Sequence, residues 1–117
     1  MQDNIKLKAI LEWLTEKNAE DIRVYEVEGK TDYTDVIVVC EGQADLHNKA
    51  IAGHVIDMAK ANKFRVLSKE GVDSAQWILI DIGDIVVHIF LPQTRDFYKI
   101  DELFEKVKNR VPHEDIL

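Results

Sequence analysis

Residues 76–90 constrain the fold more than any other stretch of this chain. Two apolar runs rich in β-branched residues lie on either side of a short polar turn, Asp81-Ile82-Gly83-Asp84. A glycine beside an aspartate between such runs is a strong signal for a β-hairpin. With Ile82 and Gly83 at the tip, Trp77 is predicted to lie opposite His88.

The two faces of this predicted hairpin differ in composition. One face is wholly aliphatic and holds Ile78, Ile80, Ile85, Val87 and Ile89. The other face mixes aromatic, aliphatic and polar groups, with Asp81 and Asp84 at its rim, and holds Trp77, Leu79, Val86, His88 and Phe90. Because both faces are apolar, we expect the hairpin to be central and covered on both sides. The second face also has the composition of a protein-binding surface.

The overall composition predicts one ordinary globular domain, residues 1–117, with 46% hydrophobic and 32% charged residues. Twenty-two acidic residues against 15 basic ones give a formal charge of −7. This balance argues against direct readout of nucleic acid, which needs Lys and Arg against phosphate. It suits a basic protein partner, because opposite charges steer encounter.

The sequence also predicts a cytoplasmic protein. Cys40 is the only cysteine, so no disulfide can form within the chain, as is usual in a reducing compartment. The first residues show no basic and apolar pattern of a signal peptide, and no apolar run approaches the length of a membrane span.

Periodicity along the rest of the chain predicts a mixed α/β fold. The expected order is α-β-β-α-β-β-β-α, a five-stranded mixed sheet with three helices. The predicted elements are helices over 4–17, 45–62 and 100–110 and strands over 21–28, 35–40 and 64–67, besides the two hairpin strands, followed by a loose tail over 112–117. Asp3 or Asn4 is expected to cap the first helix and Asp45 the second. The last helix is expected to bury Ile100, Leu103, Phe104 and Val107.

A search for catalytic and metal-binding patterns finds none with the required spacing. The histidines His47, His54, His88 and His113 form no ligand motif, and Ser68 and Ser74 lie in no nucleophile elbow. Cys40 lies in an apolar strand without an activating base. Asp35, Asp81 and Asp84 at strand ends resemble a magnesium site, but ordinary turn chemistry accounts for them better. No cofactor is expected.

Periodicity leaves two hypotheses open for the Trp77 face. Trp77, Leu79, His88 and Phe90, with Tyr98 nearby and Asp81 at the rim, match the make-up of a binding hot spot. The last helix, however, needs an apolar surface to pack on, and it would bury the same residues if it lay there.

The sequence resembles the ribosomal silencing factor (Iojap-like) family over about residues 5–105. The resemblance rests on Glu70-Gly71, on Trp77 through Phe90 with its Trp, Asp-x-Gly-Asp and Val-His-x-Phe positions, on Arg95 and Tyr98, and upstream on Thr34-Asp35 and Lys49-Ala50-Ile51-Ala52. The chain departs from the family pattern at Ala75, Gln76, Ile82, Leu46-His47 and Phe104.

The resemblance implies a translation repressor that is not an enzyme. Its fold would be similar to that of nucleotidyltransferases, without their catalytic motif. Such proteins bind large-subunit ribosomal protein fourteen and block joining of the small subunit when nutrients are short. The resemblance implies that Trp77, Leu79 and His88 form the centre of the docking face, with Phe90 and Tyr98 beside them and Asp81 at the rim. The alternatives are a magnesium-dependent enzyme and a homodimeric scaffold that uses the same face.

Overall fold

A computed structural model describes residues 4–110 of the chain. Its elements, in chain order, are α1 (Ile5–Glu16), β1 (Glu20–Glu26), β2 (Val36–Glu41), α2 (Asp45–Ala61), β3 (Ser68–Glu70), β4 (Trp77–Asp81), β5 (Ile85–Phe90), α3 (Pro92–Phe97) and α4 (Ile100–Lys108).

The five strands form one mixed sheet in the order β1-β2-β5-β4-β3. Strands β2 and β5 pair in parallel at its centre, and the other three pairs are antiparallel. The α2 crossover joins β2 to β3, which run in the same direction but are separated by β5 and β4. The predicted mixed α/β class and the five-stranded sheet are therefore confirmed, with a fourth helix, α3, that was not predicted.

Each face of the sheet carries a core of its own. Helices α1 and α2 cover the aliphatic face, where the hairpin residues Ile78, Ile80, Ile85, Val87 and Ile89 are fully buried together with residues such as Ile10, Leu14, Ile51 and Val55. Helix α4 packs on the opposite face through Ile100, Phe104 and Val107, against Tyr25, Val27, Ile37, Val39 and Phe90. The expected helix stripe is thus correct except for Leu103, which lies on the flank of α4 and is 48% exposed.

The predicted hairpin register is wrong, although its faces are correct. Trp77 lies opposite Phe90, and Leu79 lies opposite His88. Ile82 is fully buried and continues the strand: its N–H donates to the Ile85 carbonyl over 2.9 Å. The turn therefore falls at the next two residues, the first of which, Gly83, adopts φ +86°. Moving the tip by one residue shifts each cross-strand partner by two, and this keeps every side chain on its face.

Two other sequence expectations about element ends differ from the structure. The third strand begins at Ser68, because residues Phe64 and Val66 pack into the core without strand pairing; the Phe64 N–H instead closes the end of α2 on the Ala59 carbonyl, at 2.8 Å. Ala44, not Asp45, occupies the N-cap position of α2 and makes no side-chain cap.

The predicted Asn4 cap of α1 is confirmed, since the Asn4 side chain accepts a hydrogen bond from the Leu7 N–H at 3.0 Å. The predicted tail over 112–117 lies outside the described residues.

Candidate functional site

Helix α4 covers only part of the sheet face that carries the predicted site. The Phe104 ring lies 5.2 Å from the His88 ring, and His88 and Phe90 are buried, 5% and 0% exposed. Trp77, Leu79 and Asp81 on β4 remain partly exposed. The last helix therefore buries the β5 residues, as one hypothesis expected, and leaves the β4 residues partly exposed, so the binding hypothesis stays a prediction for that part of the face. The expectation that His88 and Phe90 lie on the exposed surface is wrong, because α4 covers both.

Buried His88 contacts the partly exposed Trp77 through a hydrogen bond. The indole Nε1–H of Trp77 donates to Nδ1 of His88 at 3.0 Å. An Nδ1 that accepts a hydrogen bond carries no proton, so the imidazole is the neutral Nε2–H tautomer. Burial lowers the pKa of His88 to about 4, which keeps the ring neutral at physiological pH. The neutral imidazole thereby fixes the orientation of the Trp77 ring.

Trp77 begins a row of aromatic side chains that leads from the sheet to solvent. Its ring centroid lies 4.9 Å from that of Phe90 below and 5.6 Å from that of Tyr98 beside it. The Tyr98 ring in turn meets Phe97 edge-on at 4.9 Å. Tyr98 is 55% exposed and Phe97 is 76% exposed. We call Trp77, Tyr98 and Phe97 the aromatic ridge; sequence reasoning missed Phe97, although its position beside Tyr98 was a usable signal.

The position of the outer ridge residues depends on Arg95 in α3. The guanidinium is 4% exposed and binds both carboxylate oxygens of Asp101, with Nε and Nη2 distances of 2.8 and 3.1 Å. Its Nη1 donates to the Asp21 carbonyl at 2.9 Å and to the Glu41 carboxylate at 3.0 Å. One side chain thus ties α3 to α4 and to strands β1 and β2. Since α3 ends at Phe97, the Arg95 network holds the ridge against the sheet.

Asp101 is the hub of that network on α4. Burial favours its neutral form, but hydrogen bonds from Arg95 and from the Tyr25 hydroxyl hold the pKa of Asp101 below its ordinary value. The Tyr25 hydroxyl donates to Oδ1 over 2.5 Å. Burial and this carboxylate raise the pKa of Tyr25 to about 12. The network is therefore a charged tether of α3 and α4 to the sheet edge.

The acidic residues near the hairpin tip have separate structural partners. Asp81 Oδ1 accepts the Gly83 N–H at 2.9 Å and remains partly exposed on the ridge side. Asp84 pairs with Lys6 of α1 at 2.8 Å, and the same ammonium also binds the Ile82 carbonyl. Asp84 therefore fastens the turn to α1 and does not contribute to the rim of the ridge.

The polar groups considered for catalysis are engaged elsewhere or dispersed. Across residues 4–110, no three His, Cys, Asp or Glu side chains come together in a way that could hold a metal ion. Burial raises the pKa of Cys40 to about 12, so it is a thiol inside the core. His47 contacts the Lys17 carbonyl and His54 contacts Glu16, which joins α2 to the end of α1. Among the described helices, none combines the length and apolar character needed to cross a membrane.

Comparison with known proteins places the chain in a family. The model of the family described as "Ribosomal silencing factor during starvation" matches residues 2–116. The chain belongs to the ribosomal silencing factor family. Its resemblance to that family over the hairpin and its flanks is thereby confirmed, and the family's role is ribosome-associated regulation of translation.

Individual relatives agree with this assignment. The chain is 38% identical over 89 residues to the ribosomal silencing factor RsfS of Bacillus subtilis, covering 76% of this chain and 75% of that protein. It is 34% identical over 94 residues to a mouse protein named "Mitochondrial assembly of ribosomal large subunit protein 1", covering 78% of this chain and 41% of that longer protein. A crystal structure of a Chromobacterium violaceum protein superposes with a TM-score of 0.85 at 30% identity, covering 90% of this chain and 88% of the other.

Proposed function

We propose that this protein binds the large ribosomal subunit through the aromatic ridge and represses translation by keeping the small subunit from joining. The partner on the large subunit is ribosomal protein fourteen, as the family resemblance implies. Family membership supports the ribosomal role, and the name of the mouse relative points to the large subunit for that protein. The mechanism is steric: a bound 13.5 kDa domain occupies space that the small subunit needs.

The observation that carries the proposal is the state of Trp77. Its indole N–H is already satisfied by His88, so the part of the ring that stays accessible is apolar. Covering that ring with a partner removes apolar surface from water and leaves no indole donor unpaired. Exposed Tyr98 and Phe97 extend the surface, and aromatic anchors of this kind dominate binding energies at protein interfaces.

The charge of the chain favours a basic partner for this surface. The net charge is −7, and Asp81 and Glu70 lie on the same side of the sheet as Trp77. Rim charges of this kind act mainly on the rate of encounter, so higher salt is expected to slow association.

Trp77→Ala tests the proposal directly. We expect it to weaken binding to large subunits by at least ~2 kcal/mol, about thirtyfold, because it truncates the central anchor. The measurement is co-sedimentation with separated large and small subunits, with subunit joining followed by light scattering. Isolated ribosomal protein fourteen is used as a second binding target.

Tyr33→Ala is the matched control for this experiment. Tyr33 is 61% exposed in the β1–β2 loop, so its loss removes an accessible aromatic group outside the ridge. We expect wild-type binding from this variant. Folded Trp77→Ala protein that co-sediments with wild-type affinity would refute the proposed docking face. Self-association of the free protein that Trp77→Ala abolishes, without any loss of subunit binding, would favour the homodimeric scaffold instead.

A further inference from the structure

A shallow depression of about 280 Å³ lies beside Trp77 on the open part of the sheet. It is lined by Glu70 and Gly71 at the end of β3 and by Trp77 and Leu79 on β4. Glu70 lies directly opposite Leu79 in the antiparallel register, so the two side chains point to the same face. An aromatic ring, an aliphatic side chain and a carboxylate therefore border one small space.

The backbone at Gly71 shapes the wall of this depression. Gly71 adopts φ +78°, and a Cβ added there would lie 2.1 Å from the Trp77 carbonyl oxygen. Only glycine allows the chain after β3 to approach the Trp77 backbone so closely. The depression is consequently a fixed feature of the fold at this point, set by backbone contact and not by flexible side chains alone.

The carboxylate at the edge of the depression has no charged partner. Within residues 4–110, no ion pair or hydrogen bond involves the Glu70 side chain, and the residue is exposed. Neighbouring Lys69 lies opposite Ile80, which belongs to the other face of the sheet. Asp81 on the ridge side adds a second negative charge to this face.

We propose that this depression receives a lysine or arginine side chain of the docked partner. The aliphatic stem would lie against Trp77 and Leu79, and the cationic head would pair with Glu70. Basic side chains combine an apolar stem with a charged end, and a cation beside an indole gains a further attraction. The inference rests on the proposed function, because it names the partner chemistry recognised at the edge of the same docking face.

The charge-removing variant Glu70→Gln tests the inference. Glutamine keeps the size of the side chain and removes the charge, and the exposed position predicts no effect on folding. We expect binding to separated large subunits to weaken about fivefold at low salt, as for an ion pair at an interface rim. The difference from wild type is expected to shrink as salt rises, because screening weakens the wild-type pair. Glu70→Lys is expected to weaken binding further, through repulsion.

Glu12→Gln is the matched control. Glu12 is exposed on α1, which packs on the opposite face of the sheet, so this variant changes net charge by the same amount away from the depression. We expect it to bind within about twofold of wild type, since distant exposed charges are screened.

The outcomes separate this inference from the proposed function. If Trp77→Ala loses binding while Glu70→Gln and Glu70→Lys both bind as the Glu12→Gln control does, the depression takes no basic side chain and the docking face stands. If Glu70→Gln weakens binding but with the same salt dependence as wild type, the charge pairing is refuted. If Trp77→Ala also binds normally, the docking face and the inference fail together.

Discussion

The hydrogen bond between Trp77 and His88 predicts that acid destabilises this protein in a defined pH range. His88 is 5% exposed and is packed between the rings of Trp77, Phe90 and Phe104, none of which can carry a charge near neutral pH. Burial lowers the pKa of His88. Protonation would place a charge in this apolar surrounding and would turn Nδ1 from an acceptor into a donor facing the indole N–H.

The size of the effect follows from the two pKa values of His88. In the unfolded chain the pKa is the ordinary 6.5, and in the folded protein it is about 4. Between these values the unfolded state binds the proton and the folded state does not, so stability falls as pH falls. The 2.5-unit difference corresponds to about 3 kcal/mol when fully expressed. Of this, about 2 kcal/mol is lost between pH 7 and pH 5, and the loss from this group is complete only near about pH 3, where the folded state is protonated too.

The assay is urea unfolding at pH 7, 6 and 5, compared between wild type and His88→Asn. Asparagine does not titrate, and its amide oxygen can accept the indole N–H, so the difference in slope isolates the histidine from the carboxylates. An imidazole titration of folded wild type by NMR measures the same quantity without a variant. Equal pH slopes for the two proteins, or a folded-state midpoint near 6.5, would refute the reasoning.

Two further substitutions test the supports of the ridge. Arg95→Met is expected to lower the free energy of unfolding by about 2 kcal/mol in urea titrations, because it leaves the partly buried carboxylates of Asp101 and Glu41 without their cation. Arg23→Met removes an exposed guanidinium paired with Asp21 and is expected to change stability much less, so equal losses would contradict the assignment. Gly71→Ala is expected to cost roughly 2 kcal/mol in the same titration and to weaken large-subunit binding, because its Cβ cannot fit beside the Trp77 carbonyl. Gly53→Ala is the control, because a Cβ added at Gly53 meets only open space. Unchanged stability of Gly71→Ala would contradict the close contact between Gly71 and the Trp77 carbonyl.

The sheet faces could be predicted from the sequence because successive side chains in a strand point to opposite faces. The predicted hairpin tip was one residue early, yet Ile78 and Ile80 still fell on the helix-covered face and Trp77 and Leu79 on the other. The position of the turn is set by the burial of Ile82, which depends on how the neighbouring helix packs against the end of the strand. The periodicity of the sequence does not contain this tertiary information, so it could not predict the register.

The composition of the ridge depended on contacts between distant parts of the chain. Tyr98 was identified from its place just after the hairpin, but exposed Phe97 belongs to α3, a six-residue helix too short to show a periodic pattern. Arg95 was singled out only as a position of the family resemblance, and its burial depends in part on a backbone carbonyl and a carboxylate that lie 74 and 54 positions away. His88 was correctly placed on the Trp77 face, but sequence could not tell that α4 would cover it and leave Trp77 accessible.

The length of α4 explains how one sheet face can carry both a core and the proposed docking surface. Nine residues make a helix about 13 Å long and roughly 10 Å wide, whereas five strands span about 19 Å from first to last. Whether it runs along or across the strands, α4 can therefore cover only two or three of them. It packs on β1, β2 and β5, so the β4–β3 side of the same face stays open. His88 lies at this boundary, where the buried imidazole orients the partly exposed indole of Trp77. The stability of the core and the shape of the proposed docking surface therefore depend on the same hydrogen bond.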